Sequence, residues 1–206
     1  VGLASQAART ADLVVLPEMV SGYAFDSAGQ VLGVAERPDG RTFGAFAPIA
    51  RAEATWIVVG FAEPAGRHLY NSAMVIGPDG SLHSVYRKTL LFDADLPWAR
   101  AGTGDYPLFK VGGVRCTVGI CMDLNDNRFT RWCASERVDV VALPTCWVEE
   151  GDPVWPYWQR RMLGLNAFLV AADQWGEDGS MTYAGQSAIL STQLVVAGAS
   201  AIGNAI

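Results

Sequence analysis

Three polar residues each follow directly on a run that reads as a buried strand. Glu18 follows Leu13-Val14-Val15-Leu16-Pro17, Lys88 follows Ser81 to Arg87, and Cys121 follows Val114 to Ile120. In open α/β sheets, ligands collect beyond the carboxyl ends of the strands, so a carboxylate, an ammonium and a thiol at three such ends could meet in one pocket. Their shared chemistry would be nucleophilic. A thiol attacks only as the thiolate. Histidine is the usual proton acceptor, but His68 and His83 both lie upstream of every cysteine and are badly placed. Glu18 is the remaining candidate base. Lys88 could lower the thiol pKa by its charge and hold a developing oxyanion. The turn after Cys121 would add a backbone N–H, most naturally that of Met122, and a helix opening near Asp126 would add a little positive field. Taken singly, Glu18 and Lys88 read as solvated surface residues and Cys121 as an inert buried thiol. The functional reading rests on all three recurring after strands in one chain.

The elements that must position them follow from hydrophobic periodicity. A helix is expected over 3–11, then a short strand, Leu13 to Leu16, stopped by Pro17. A second helix spans 42–54, with Phe43, Phe46, Ala47, Ala50 and Ala54 on one face and Pro48 inside. Trp56 to Ala62 and Tyr70 to Ile76 are strands, the latter turned by Gly77-Pro78-Asp79-Gly80 into Ser81 to Arg87. Residues 89–105 are loop. Strands follow near 107–111 and 114–120, a helix at 126–136, a strand from Val138 to Pro144, a helix at 154–168, a strand from Phe168 to Ala172, and a last pair within Ser187 to Ala197. Several strands are apolar on both faces, which requires sheets covered on both sides: an α/β layered architecture.

Composition narrows the function classes. The chain has 206 residues, 50% of them hydrophobic and 17% charged, which excludes disorder and suits one domain over 1–206. The longest apolar runs are far short of the ~20 residues that span a bilayer. A net charge of −6, with no basic stripe, argues against nucleic acid and anionic membranes as partners. Cys116, Cys121, Cys133 and Cys146 form no C-x-x-C pair, so neither zinc nor a disulfide framework is indicated. Free thiols fit a reducing, cytoplasmic setting. The chain opens at Val1 in what reads as the middle of a helix and closes on an apolar segment, so a fragment of a longer chain is expected.

The motifs around the three residues resemble those of the nitrilase superfamily of carbon–nitrogen hydrolases. Ala11-Asp12-Leu13-Val14-Val15-Leu16-Pro17-Glu18 looks like its first catalytic motif. Tyr70-Asn71-Ser72-Ala73 through Tyr86-Arg87-Lys88 looks like the second, and Val118-Gly119-Ile120-Cys121-Met122-Asp123 like the third. Tyr183-Ala184-Gly185-Gln186-Ser187 resembles the late F-x-G-x-S segment. The resemblance implies a four-layer α-β-β-α sandwich, incomplete at both ends because the usual first strand and much of the C-terminal extension are missing. It implies Glu18 as general base, Lys88 as oxyanion stabiliser and Cys121 as nucleophile. Many members use a second glutamate; the corresponding place holds the shorter Asp95, which either orients the lysine or assists proton transfer. Asp173 stands where many members have Asn.

The implied reaction is cleavage of a terminal or non-peptide carbon–nitrogen bond through a thioester on Cys121, with no metal or organic cofactor. Candidate substrates are a small-molecule amide or nitrile, or a peptide N-terminus. Arg87-Lys88-Thr89 with Asp95 and Trp98, then Cys121-Met122-Asp123-Leu124, is similar to the protein N-terminal amidase branch, whose members deamidate N-terminal Asn or Gln. Asp123 could contact a cationic substrate group or anchor the turn behind Cys121. Trp147, Trp155, Trp158 and Trp175 could wall the pocket or serve as core. Cys116, Cys133 and Cys146 read as bystanders. The resemblance also implies a homodimer or larger homo-oligomer. A catalytically silent binding module and an acyl transferase on the same scaffold are the competing readings.

Overall fold

The computed structural model describes residues 1–22, 27–151 and 153–199. Two mixed sheets lie face to face between two layers of helices. The first sheet contains β1 (Leu13–Val15), β2 (Trp56–Ala65), β3 (His68–Ile76) and β4 (Leu82–Arg87), side by side in that order. β1 runs parallel to β2, and β2, β3 and β4 form an antiparallel meander. Next in the chain come β5 (Leu108–Val111), β6 (Val114–Val118), β7 (Val140–Thr145) and β8 (Phe168–Asp173). A separate hairpin of β9 (Trp175–Asp178) and β10 (Met181–Ala184) precedes β11 (Ala188–Leu190) and β12 (Val195–Gly198). The second sheet has the order β12-β11-β8-β7-β6-β5, with β6, β7 and β8 parallel and antiparallel neighbours on both sides.

The helices cover the outer faces. α1 (Gly2–Ala8) and α3 (Arg41–Glu53) set Ala4, Ala8, Phe46, Ala47 and Ala50 against Ile57, Val59 and Phe61 of β2 and Met74 and Ile76 of β3. The intervening residues, Val58, Ala73 and Val75, point the other way and meet Val118, Cys116 and Ala142 of the second sheet. This strict alternation is why β2 and β3 read as apolar on both faces. On the far side, α4 (Asn127–Ser135) and α5 (Val154–Arg161) press Phe129, Cys133 and Trp158 onto Val141, Leu143 and Leu169. The result is the α-β-β-α sandwich. A short helix, Ala28–Leu32, lies beside the sandwich, capped by Ser27, whose Oγ accepts the Gln30 N–H. In chain order it is the second helix.

Several expected boundaries shift for physical reasons. Strand β2 runs on to Ala65 because Gly66-Arg67 makes a two-residue turn that pairs Ala65 with His68. The helix expected to reach 168 ends at Arg161, and Gly164 beyond it has φ +89°. The first helix stops at Ala8 rather than 11. Pro48 sits inside α3 without ending it, because the apolar face carries through the proline. No described helix is long and apolar enough to cross a membrane.

Candidate active site

Each of the three polar residues is set by a strand that has just ended. After β1 the parallel ladder continues: Leu16 N–H donates to the Val58 carbonyl and Gly60 N–H to that of Pro17. This lays Glu18 against β2 at Gly60, where a Cβ would stand 2.6 Å from the Glu18 Cα and 2.7 Å from the Met19 nitrogen. Only a glycine allows that approach. Lys88 extends β4 by one residue, its N–H donating to the Asn71 carbonyl of β3 at 2.9 Å. Beyond β6, the Gly119 N–H still pairs with the Ala142 carbonyl of β7. Gly119 also lets the chain pass the Phe129 ring, which would stand 2.8 Å from a Cβ there. The chain then turns sharply. Ile120 is extended and Cys121 is left-handed, with φ +43°, opening the 3₁₀ turn Cys121–Asn125. A non-glycine residue in that region costs on the order of 1–3 kcal/mol, so the surroundings must hold it there.

Asp123 does the holding. It is fully buried and takes five hydrogen bonds from the protein. Oδ2 accepts from Tyr86 Oη at 2.8 Å and from the Ile120 N–H at 2.9 Å. Oδ1 accepts from the Thr89 N–H and hydroxyl and from the Leu90 N–H. Of the two sequence readings for Asp123, this is the geometry of the anchor. The substrate-contacting reading is corrected, because both oxygens are already occupied by protein donors. Burial pushes its carboxyl pKa up, and the hydrogen bonds from the Leu90 and Ile120 N–H groups and the Thr89 and Tyr86 hydroxyls oppose that rise.

The charges meet at Lys88. Its Nζ lies 2.8 Å from Glu18 Oε1 and 2.7 Å from Asp95 Oδ2, with all three side chains buried. Asn71 ties the two carboxylates together: its Nδ2 donates to Glu18 Oε1 at 2.7 Å and to Asp95 Oδ1 at 3.0 Å. The Phe92 N–H also donates to Asp95 Oδ2. The second Glu18 oxygen accepts the Cys146 N–H at 3.0 Å. Burial raises the Glu18 pKa, the Lys88 charge lowers it, and Asp95 raises it further, with a net upward shift. Cys121, only 5% exposed, lies within the same field. Burial pushes its thiol pKa well up and the Glu18 charge adds to this; the Lys88 charge and the Thr145 hydroxyl oppose it. Burial thus raises both the Glu18 carboxyl and the Cys121 thiol, while the Lys88 charge favours the ionised form of each.

Three participants, Asn71, Thr145 and Cys146, carry no advance signal of that role in the sequence. Asn71 falls within the second motif, but nothing local marks it as the bridge between two carboxylates. Thr145 and the Cys146 N–H stand at the end of β7, and a backbone donor has no side-chain signature. Cys146 is more than the bystander expected: besides its N–H, its Sγ donates to the Glu18 carbonyl at 3.1 Å. Asp173, at the end of β8, accepts from the N–H groups of Trp147 and Gln186, locking the end of β7 to the turn after β10. Cys116 and Cys133 are buried in hydrophobic clusters.

A carbon–nitrogen hydrolase family profile matches residues 2–202. The chain belongs to the carbon–nitrogen hydrolase family. The chain is 34% identical over 192 residues to a nitrilase of Pyrococcus abyssi, an alignment covering 90% of the chain and 71% of that protein. It is 25% identical over 191 residues to the protein N-terminal amidase of Saccharomyces cerevisiae, covering 78% of the chain but 41% of that enzyme. Among solved structures, an amidase from Nesterenkonia sp. AN1 that carries acrylamide added at its active-site cysteine superposes with a TM-score of 0.80 at 20% identity. That superposition covers 96% of this chain and 80% of the other. The fold is thus the sandwich of this family, whose members are cysteine-dependent hydrolases of amide- and nitrile-type carbon–nitrogen bonds.

The remaining sequence candidates are placed as follows. Met122 follows Cys121 in the opening of the 3₁₀ turn, where the first N–H groups have no partner inside the turn. The expected contribution from the helix after Asp126 is displaced: the helical turn begins at Cys121 itself, and Asp126 caps α4 through the Arg128 N–H. Trp158 is core, and Trp155 donates its Nε1–H to the Gln186 carbonyl. Trp147 meets Trp158 edge to face and Tyr157 at a tilt. Trp175, 47% exposed, lines a groove of about 1020 Å³ that also touches Pro17, Asp173 and Gly185. Among the described residues, no group of three or more His, Cys, Asp or Glu side chains could hold a metal ion.

Proposed function

We propose that this chain carries the catalytic apparatus of an amidohydrolase that releases ammonia or an amine from a terminal or non-peptide amide, through a thioester on Cys121. The observation that carries the reading is the Lys88 ammonium held at 2.7–2.8 Å between Asp95 and Glu18, beside a cysteine in a left-handed turn. In this reading Glu18 takes the Cys121 proton as the sulfur attacks the carbonyl carbon. The oxyanion forms against Lys88 and the Met122 N–H. Protonated Glu18 hands its proton to the departing nitrogen, and the C–N bond breaks. Glu18 next takes a proton from water, whose oxygen attacks the thioester; the carboxylic acid leaves and the thiol is restored. Asp95 positions Lys88 through their ion pair.

The test is a released-ammonia screen over small amides, nitriles, carbamoyl compounds and peptides beginning with Asn or Gln. Ammonia from at least one amide, abolished by Cys121→Ala, is the expected result. Turnover confined to Asn- or Gln-starting peptides would move the assignment to the N-terminal amidase branch. Unreduced turnover by Cys121→Ala would refute the mechanism. Hydroxylamine reports the thioester shared by hydrolysis and transfer, as a hydroxamate formed at the expense of acid; acid as the main product without added amine assigns hydrolysis, and product formed only with an amine acceptor assigns transfer.

A further inference from the structure

A second cavity, of about 390 Å³, opens between the short helix Ala28–Leu32, the β2–β3 turn and the segment from Leu96 to Arg100. None of Glu18, Asn71, Lys88, Asp95 or Cys121 lines it. Leu69 and Trp98, both buried, form its inner side, and Leu32 and Leu96, both exposed, stand at its rim. The polar part of the lining is Arg67, His68 and Arg100.

These three groups are arranged in an unusual way. Arg100 Nη1 lies 2.7 Å from His68 Nε2, and Arg67 Nε donates to the same nitrogen at 3.4 Å. A guanidinium can only donate, so Nε2 is the acceptor and the imidazole is neutral. Partial burial, then the charges of Arg100 and Arg67, lower the His68 pKa and keep it so. Two full positive charges therefore share one uncharged lone pair. No carboxylate among the described residues forms an ion pair with either arginine. This is a local concentration of positive charge on a chain whose net charge is −6. The Trp98 Nε1–H is likewise buried without a hydrogen-bond partner among the described residues.

We infer that this cavity is a binding site for a small carboxylate with an apolar body. The guanidinium forks of Arg67 and Arg100 match a carboxylate in geometry and charge. Leu32, Pro64, Leu96 and Trp98 take the hydrocarbon part. The volume falls in the range of small-molecule sites.

Calorimetric titration with sodium hexanoate, acetate and hexanol tests this independently of the reaction assigned to Cys121. Hexanoate is expected to bind at least tenfold more tightly than either of the others. In the Arg67→Gln/Arg100→Gln double variant its affinity should drop tenfold or more. Amide turnover should stay within twofold, because both arginines are exposed and outside the catalytic cluster. Leu96→Ser should weaken hexanoate as well, by removing apolar contact without adding a charge beside either arginine. Hexanoate binding that survives the double variant would place the ligand elsewhere and overturn the inference. So would hexanol binding as well as hexanoate, or no measurable hexanoate binding.

Discussion

Replacing Asp123 by Asn changes one atom and tests how the nucleophile is held. The carboxylate meets two donors at Oδ2 and three at Oδ1. An amide can keep its oxygen toward only one of these groups, and the three at Thr89 and Leu90 are the better choice. Its NH2 then faces the Ile120 N–H, with Tyr86 Oη free to rotate and accept. One buried donor is orphaned, at a cost of about 1–3 kcal/mol. Facing donors add to that, and removing a buried charge with no cation partner among the described residues returns part of it. A net loss of about 1–3 kcal/mol lowers Tm by about 2–12 °C in a chain of this size. The orphaned N–H belongs to Ile120, the residue before Cys121, so the left-handed turn loosens at its entry. A displacement of about 1 Å at a reacting atom costs on the order of 10² in rate. Thermal denaturation, steady-state kinetics and the rate of Cys121 alkylation by iodoacetamide together read this out. The expected pattern is a lower Tm, kcat down by about two orders of magnitude, and KM little changed. An unaltered Tm with a raised KM would show that Asp123 meets the substrate instead, and would refute the anchoring argument.

Other perturbations separate the parts of the site. Gly60→Ala would drive a Cβ to within 2.6–2.8 Å of the backbone at Pro17, Glu18 and Met19, so the strand end carrying Glu18 must shift; turnover should fall at least tenfold with circular dichroism unchanged, and a fully active variant would contradict it. Glu18 must be ionised to act as base, and its pKa lies above the ordinary 4.5, so kcat/KM should decline with falling pH earlier than an unperturbed glutamate would dictate. Asp95 is one cause of that rise, so Asp95→Asn should move this acidic limb to lower pH; an upward or absent shift would argue against it. Asp173 is held by burial at about 7 against an ordinary 3.8. Over that window the folded chain keeps a proton that the unfolded chain releases, so this group makes stability fall as pH rises. The Tm of Asp173→Asn relative to the parent should therefore climb between pH 4 and 7, and a flat difference would count against the buried charge.

The layered fold was legible because β2, β3 and β7 alternate between two buried faces, leaving runs such as Ile57 to Ala62 with no polar side. The candidate site was legible because Glu18 and Cys121 each break such a run at its end and Lys88 directly follows the half-buried β4. Asp95 was legible only through the family pattern, since nothing local distinguishes it from the neighbouring Asp93. Asn71 acquires meaning only from the pairing of β3 with β2, which sets it beside two carboxylates distant in sequence. The Cys146 N–H is a backbone group, and its partner lies 128 residues away. The hairpin of β9 and β10 and the helix Ala28–Leu32 escape periodicity because they are too short to repeat an apolar face.

The central claim is that the sulfur of Cys121, and no other, carries the acyl group. Acid-quenched reaction with a turned-over amide, followed by peptide mapping by mass spectrometry, measures that directly. An acyl mass on the peptide containing Cys121, labile to hydroxylamine and absent from those containing Cys116, Cys133 and Cys146, is the predicted result. Sustained ammonia release with the acyl group on another cysteine, or with turnover intact in Cys121→Ala, would contradict it.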